Sequence, residues 1–284
     1  MAAELLGVPW VGLSPHPLYE PSCGLPPIGS GLAVGTGVSG RVRDLVLRAA
    51  TARSIRQGRR QQAQARRRVG LGPREPGPVA RLIATLPALE VPRPDWPDDA
   101  YLVGPLLWEP TERILNPPPG DDPVVMIAPS TASIGVAGLA EMALVALRGA
   151  GVRAVVSTID PVPAGIPTWV RAGQGRQDAV LVEASLVICG GGHGMLAKAL
   201  LAGVPAVVVP GGGDQWELAN RAARQGSALV VRPLTVDALR EAVMRVLREP
   251  RFAIAAAKAA ATATNVHDPV DTCHAALARH STVT

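Results

Sequence analysis

From Val124 onward the chain alternates short apolar runs with helical segments, and this constrains its fold more than any other feature. Val124–Ala128, Arg153–Ser157, Leu186–Cys189, Ala206–Val209 and Ala228–Val231 read as strands. Helical stretches over 138–148, 195–202, 216–225 and 235–249 lie between and after them. Strands that are apolar throughout and joined by helices fit an open parallel sheet covered on both faces. The expected class is α/β, with a Rossmann-like doubly wound parallel sheet.

Ahead of this pattern stands Asn116-Pro117-Pro118-Pro119-Gly120-Asp121, which can continue neither a helix nor a central strand. The sequence therefore divides into an N-terminal part, 1–115, a proline-rich linker, 116–123, a C-terminal domain, 124–270, and a tail, 271–284. Within the first part, residues 41–68 hold ten arginines against one acid, Asp44. Val42, Leu45, Val46 and Ala49 recur there at helical spacing, so 40–68 reads as an amphipathic helix with an arginine face. Such a face is either a solvated surface or a dock for an anionic partner such as a membrane with acidic lipids. Nucleic acid is not expected, since no aromatic side chain interleaves the arginines to stack bases.

Of 284 residues, 48% are hydrophobic and 18% charged, which excludes wholesale disorder and fibrous repeats. No apolar run reaches the length of a membrane span, and the first residues, Met-Ala-Ala-Glu, lack a signal-peptide pattern. A cytoplasmic protein is expected, with peripheral membrane contact through Arg41–Arg68 as an option. Cys23, Cys189 and Cys273 stand far apart, giving neither a disulfide framework nor a zinc site.

In sheets of this class ligands bind beyond the carboxyl ends of the strands. Gly190-Gly191-Gly192-His193-Gly194 follows one strand and opens a helix. Glycines permit close backbone approach and the helix presents free N–H groups, so the run reads as a phosphate cradle, with His193 able to donate a hydrogen bond. A tight turn without ligand is the plainer alternative. Gly211-Gly212-Gly213-Asp214-Gln215 follows the next strand; its carboxylate and amide suit adjacent sugar hydroxyls, while Asp214 can also cap the helix. Ser130-Thr131 ends the first strand and either contacts phosphate or closes the turn. A dinucleotide fingerprint is poorly met: the third glycine position is Met195, and the first strand runs into Pro129-Ser130.

These loops lie in a longer run. Gln177-Asp178-Ala179-Val180-Leu181 is followed by Ala184–Cys189, the Gly-Gly-Gly-His-Gly loop, Ala199–Pro205, Val207–Pro210 and Asp214-Gln215. This run resembles the donor-binding signature of the UDP-glycosyltransferase-like proteins of glycosyltransferase family 1, the actinobacterial antibiotic and glycolipid enzymes in particular. Leu6–Pro9, Ser14–Pro17 and Leu102–Leu106 resemble the later part of that family's N-terminal domain. The resemblance implies a GT-B fold whose C-terminal domain binds a nucleotide-sugar, joined to a partial N-terminal Rossmann-like domain entered near its middle. It implies transfer of a hexose from a UDP- or TDP-sugar to a hydroxyl of a lipophilic or natural-product acceptor, without metal or other cofactor.

Carried over, Gly191, Gly192, His193 and Gly194 would cradle the diphosphate and Ser130 would approach it. Asp214 and Gln215 would bind the sugar, Gln177 would meet the nucleobase edge, and His16 would fall on the acceptor side. No catalytic residue is assigned. The family's diphosphate histidine falls on Gly190, its loop-closing Ser or Thr on Met195, its ribose-binding acid on Lys198 and its base-stacking aromatic on Gln174. Those departures keep a second reading open, a non-catalytic nucleotide-sugar binder.

Overall fold

A computed structural model describes residues 1–130, 135–159 and 165–281. In chain order the elements are α1 (Ala2–Leu5), β1 (Val11–Ser14), α2 (Gly37–Arg68), β2 (Ala80–Ile83), β3 (Ala100–Leu102), β4 (Val124–Ala128) and α3 (Leu139–Leu147). There follow β5 (Arg153–Ser157), β6 (Val170–Gly173), α4 (Gln177–Glu183), β7 (Ala184–Cys189), α5 (His193–Leu201), β8 (Ala206–Val208) and α6 (Gln215–Arg224). Then come β9 (Ala228–Val230), α7 (Val236–Arg248), α8 (Arg251–Ala261) and α9 (Pro269–Ser281).

The residues fall into two compact units. One comprises Met1–Ala84, Val91–Gly104 and the segment from Val266; the other comprises Thr85–Glu90 and Pro105–Asn265. These bounds differ from the expected ones at 116–123 and 271, for reasons of packing. Leu86 and Leu89 are buried in the second unit's core, where the Ala88 N–H also donates to Thr262 Oγ1. Residues 271–281, expected as a tail, lie in α9, against β2, and the His267 N–H donates to the Leu102 carbonyl.

In the larger unit β4 to β9 form a parallel sheet in the order β6-β5-β4-β7-β8-β9. Every residue of β4 is buried, as an apolar run in a central parallel strand requires. Alternate side chains serve opposite faces. Val124, Met126, Val187 and Val208 enter one core with Leu196 and Leu200 of α5 and Leu218 of α6. Val125, Ile127, Ile188 and Val207 enter the other with Leu139 and Leu147 of α3 and Leu239 and Val243 of α7. This is the doubly wound sheet expected. Thr235 caps α7 by accepting the Ala238 N–H.

The smaller unit holds a parallel sheet in the order β1-β2-β3, with two small clusters around Ile83 and Leu82. Its α2 runs 32 residues, slightly longer than expected, and corrects the expectation of an amphipathic helix. Val42, Leu45 and Val46 are exposed, while the buried side chains are Asp44 and Arg66. Asp44 Oδ2 accepts the Gly35 N–H at 2.8 Å, and the Arg66 guanidinium donates to Gly72 O, Arg74 O and Glu4 Oε1. Polar bonds to neighbouring loops, more than an apolar stripe, seat this helix. Arg41, Arg53, Arg56, Arg59, Arg60, Arg67 and Arg68 face solvent.

Candidate donor-binding site

The sheet order reverses direction at β4: β5 and β6 lie on one side, β7 to β9 on the other. A crevice opens beyond the carboxyl ends at such a point. The loops after β4, β7 and β8 meet there around a recess of about 470 Å³. Its lining includes Ser130, Gly190, Gly192, His193, Gly194, Asp214 and Gln215, closed on a further side by Gln177, Met195, Lys198 and the segment Leu106–Trp108.

The glycines of the β7 loop do different work. Gly191 has φ +81°, and a Cβ there would lie 2.6 Å from Val208 Cγ1. Glycine is demanded at 191 by backbone conformation and packing, and this residue is buried below the recess. Gly192 and Gly194 have no such constraint; a Cβ at either would meet nothing within 4 Å. Their missing side chains leave open space directly over the first turn of α5, whose N-cap is Gly192. Backbone N–H groups at a helix N-terminus are suited to an anion. The loop thus divides into a tight turn at Gly191 and open backbone at Gly192 and Gly194.

His193 begins α5, half-buried, with Nε2 2.9 Å from the hydroxyl of the buried Thr85. That contact fixes the ring orientation. Gln215 is buried, and its amide bridges two loops: Oε1 accepts the Gly211 N–H at 2.8 Å and Nε2 donates to Ser130 Oγ at 3.2 Å. Within the recess wall it is a strut between the loops after β4 and β8. Asp214 is the N-cap residue of α6 but makes no side-chain capping bond, and it lines the recess. Thr131, the second hydroxyl of the β4 turn, lies outside the described residues.

Gln177 opens α4 at the recess edge; its Nε2 donates to Ser157 Oγ at 3.1 Å and its Oε1 accepts from Lys198 Nζ at 3.1 Å. Lys198 also donates to Glu109 Oε1 at 2.6 Å and to the Trp108 carbonyl at 3.2 Å, while Glu109 Oε2 accepts the Gln177 N–H at 3.0 Å. Both ionic side chains are nearly buried, 10% and 11% exposed. Gln174 is exposed beside a neighbouring cleft with Ser157 and Thr158. Sequence reasoning missed Thr85, Trp108 and Glu109, which lie 80 to 110 residues from the glycine loop; nothing in their local pattern marks them. Burial pushes the Cys189 thiol, at the end of β7, up to about 11. His16 lies in the other unit, its ring stacked on Tyr19 at 4.8 Å and its Nδ1 2.8 Å from Pro17 O.

Of the eight residues expected to bind a donor, seven line one recess, and Gly191 supports it from beneath. Residues 144–277 match the family described as "Erythromycin biosynthesis protein CIII-like, C-terminal domain". A relative from Lentzea aerocolonigenes, 4'-demethylrebeccamycin synthase, is 31% identical over 90% of this chain, which spans 65% of the relative's length. A PGL/p-HBAD biosynthesis rhamnosyltransferase of Mycobacterium tuberculosis is 28% identical over 63% of the chain and 41% of its own length. Among solved structures, the kitacinnamycin glycotransferase superposes with a TM-score of 0.72 at 20% identity, over 99% of this chain and 72% of its own. The chain is therefore similar in sequence to actinobacterial glycosyltransferases, matches the erythromycin biosynthesis protein CIII-like C-terminal domain over residues 144–277, and shares the GT-B fold of the solved glycosyltransferases.

Proposed function

We propose that the chain takes part in glycosyl transfer, binding a UDP- or TDP-hexose in the crevice at β4, β7 and β8 for delivery to a hydroxyl of a lipophilic natural-product acceptor. The observation that carries this reading is the open space over Gly192 and Gly194 at the first turn of α5. A diphosphate seated there would meet the N–H groups and the positive end of the helix. As the anomeric C–O bond breaks, charge accumulates on the leaving diphosphate, and donors already aimed at that position stabilise it without reorganising. His193, oriented by Thr85, would add a further polar contact, and Asp214, which lines the same recess, would bind the sugar hydroxyls. On this reading the leaving group needs no metal or other cofactor. The acceptor hydroxyl attacks the anomeric carbon in line with that departure and gives up its proton to a base. His16 is the acceptor-side candidate that the resemblance offers; the base itself is unassigned.

The second reading, a nucleotide-sugar binder without turnover, draws on the Lys198–Glu109 pair, which engages the side chain standing where the family has its ribose-binding acid. Calorimetric titration with UDP, TDP, GDP and NAD tests the common core of both. Binding of UDP or TDP that weakens on His193→Ala or Asp214→Ala supports the donor site; binding of NAD alone would overturn it. Release of nucleoside diphosphate from a nucleotide-sugar in the presence of acceptor then separates enzyme from binder.

The exposed arginines of α2 suit an anionic membrane surface from which a lipid acceptor could be drawn. Among the described residues no helix is long and apolar enough to cross a membrane, and peripheral contact of a cytoplasmic protein is the form proposed. Sedimentation with vesicles containing phosphatidylserine tests it: replacing Arg53, Arg56, Arg59 and Arg60 by Gln should release the protein, and unchanged binding would sink the idea.

A further inference from the structure

The segment joining β3 to β4 contributes a large aromatic side chain to the recess. Trp108 is 76% exposed, a costly state for an indole whose backbone is held in place. It is held by its neighbours: the Trp108 carbonyl accepts from Lys198 Nζ, and Glu109 is clasped between that ammonium and the Gln177 N–H. The clasp fixes the segment against α4 and α5, and Trp108, largely exposed, is among the residues lining the recess that contains Gly192 and Gly194. The same residue borders a second recess of about 520 Å³ with Leu107, Leu181 and Leu201. Position 174, where the resemblance would put a base-stacking aromatic, is glutamine.

We infer that Trp108 is the aromatic wall against which the nucleoside of the donor packs, with the Lys198–Glu109–Gln177 clasp as its positioning device. The inference rests on the donor-site reading and adds to it a specificity residue outside the matched glycine-rich run. A π-face at the mouth of an anion cradle selects ligands that carry a planar base together with a phosphate. Stacking is tolerant of base identity, so the wall would favour nucleotides over bare phosphates without distinguishing uracil from thymine.

The test compares the full chain with Trp108→Ala and Trp108→Phe by calorimetric titration with UDP, TDP and inorganic pyrophosphate. The side chain is largely in solvent, so both variants should melt as the parent does. The expected result is nucleotide affinity at least about fivefold weaker in Trp108→Ala, the lower end for loss of one base–aromatic stack. Trp108→Phe should recover most of that loss, and pyrophosphate should bind all three proteins alike. If Trp108→Ala binds UDP and TDP as the parent does, the inference fails and the donor site stands. Equal weakening for nucleotide and pyrophosphate would overturn it in favour of a loop-positioning role. A parent chain that binds none of the three ligands would overturn the donor reading and this inference with it.

Discussion

The two units solve the burial of a parallel sheet in opposite ways. In the larger, both faces of a six-stranded sheet are covered, and alternate residues of β4, β7 and β8 feed two separate apolar cores. In the smaller, three strands carry two small clusters, and the longest helix of the described residues turns valines and a leucine to solvent. What organises the smaller unit is polar: Asp44, Arg66 and Asp95 each bind backbone or side chains of segments outside their own element. An apolar core tolerates local change by repacking, whereas a polar tether fails when one partner goes.

The larger unit has polar tethers too, and the most deeply buried of its described ion pairs offers the sharpest way to break the contrast. Arg221 and Glu217 are buried at 4% and 7% exposure, with the guanidinium also donating to the Leu89 carbonyl. Arg221→Met should cost about 3–5 kcal/mol, since it strands a buried carboxylate; a loss in urea melts below about 1 kcal/mol would show this unit to be indifferent to its ion pair.

Gly191→Ala should follow, at about 2–4 kcal/mol for a left-handed backbone plus overpacking against Val208. Gly192→Ala, one residue on, should leave the melt within about 0.5 kcal/mol, as at sites without strain or contact, while weakening nucleotide binding. Similar stability for the two variants would deny the division of that loop into turn and cradle.

Asp95 accepts hydrogen bonds from Ser22 Oγ, the Cys23 N–H and the Arg93 guanidinium, and these hold its carboxyl well below the usual carboxylate range. A depressed folded pKa means its contribution is present above the unfolded value, about 3.9, and fades as pH falls below it. The stability gap between the parent and Asp95→Asn should therefore narrow as pH drops below about 4, read from melts at pH 3, 5 and 7. A constant gap would remove Asp95 from the tethers. Least of all, Leu45→Ser on the solvent face of α2 should shift the melt by no more than about 0.5 kcal/mol; a loss above about 1.5 kcal/mol would mean that this stripe is packed after all.

The same contrast governs what could be read from the amino-acid sequence. Central strands such as β4 announce themselves because burial on both faces leaves an uninterrupted apolar run. Edge strand β6 does not, since Val-Arg-Ala-Gly carries an exposed Arg171 and a glycine. That the glycine loop and Asp214 share one recess was legible because both follow strands of one parallel sheet, at whose carboxyl ends such loops gather. The face of α2 was misjudged because its apolar spacing suggested a stripe, whereas its burial is set by Asp44 and Arg66 reaching loops that no periodicity reveals. Trp108 and Glu109 are brought to the crevice by tertiary folding alone.

The reversal of strand order at β4 also bears on how the larger unit acquires its shape. Before Ala128 can lie beside Cys189, the chain between them has to run out through α3, β5, β6 and α4 and return. Closing so long an excursion is entropically slow, and the reward arrives only when the two central strands meet. The register that opens the crevice is thus the least local pairing of that half of the sheet. A nascent chain remains without its candidate recess until the loops after β7 and β8 have been synthesised.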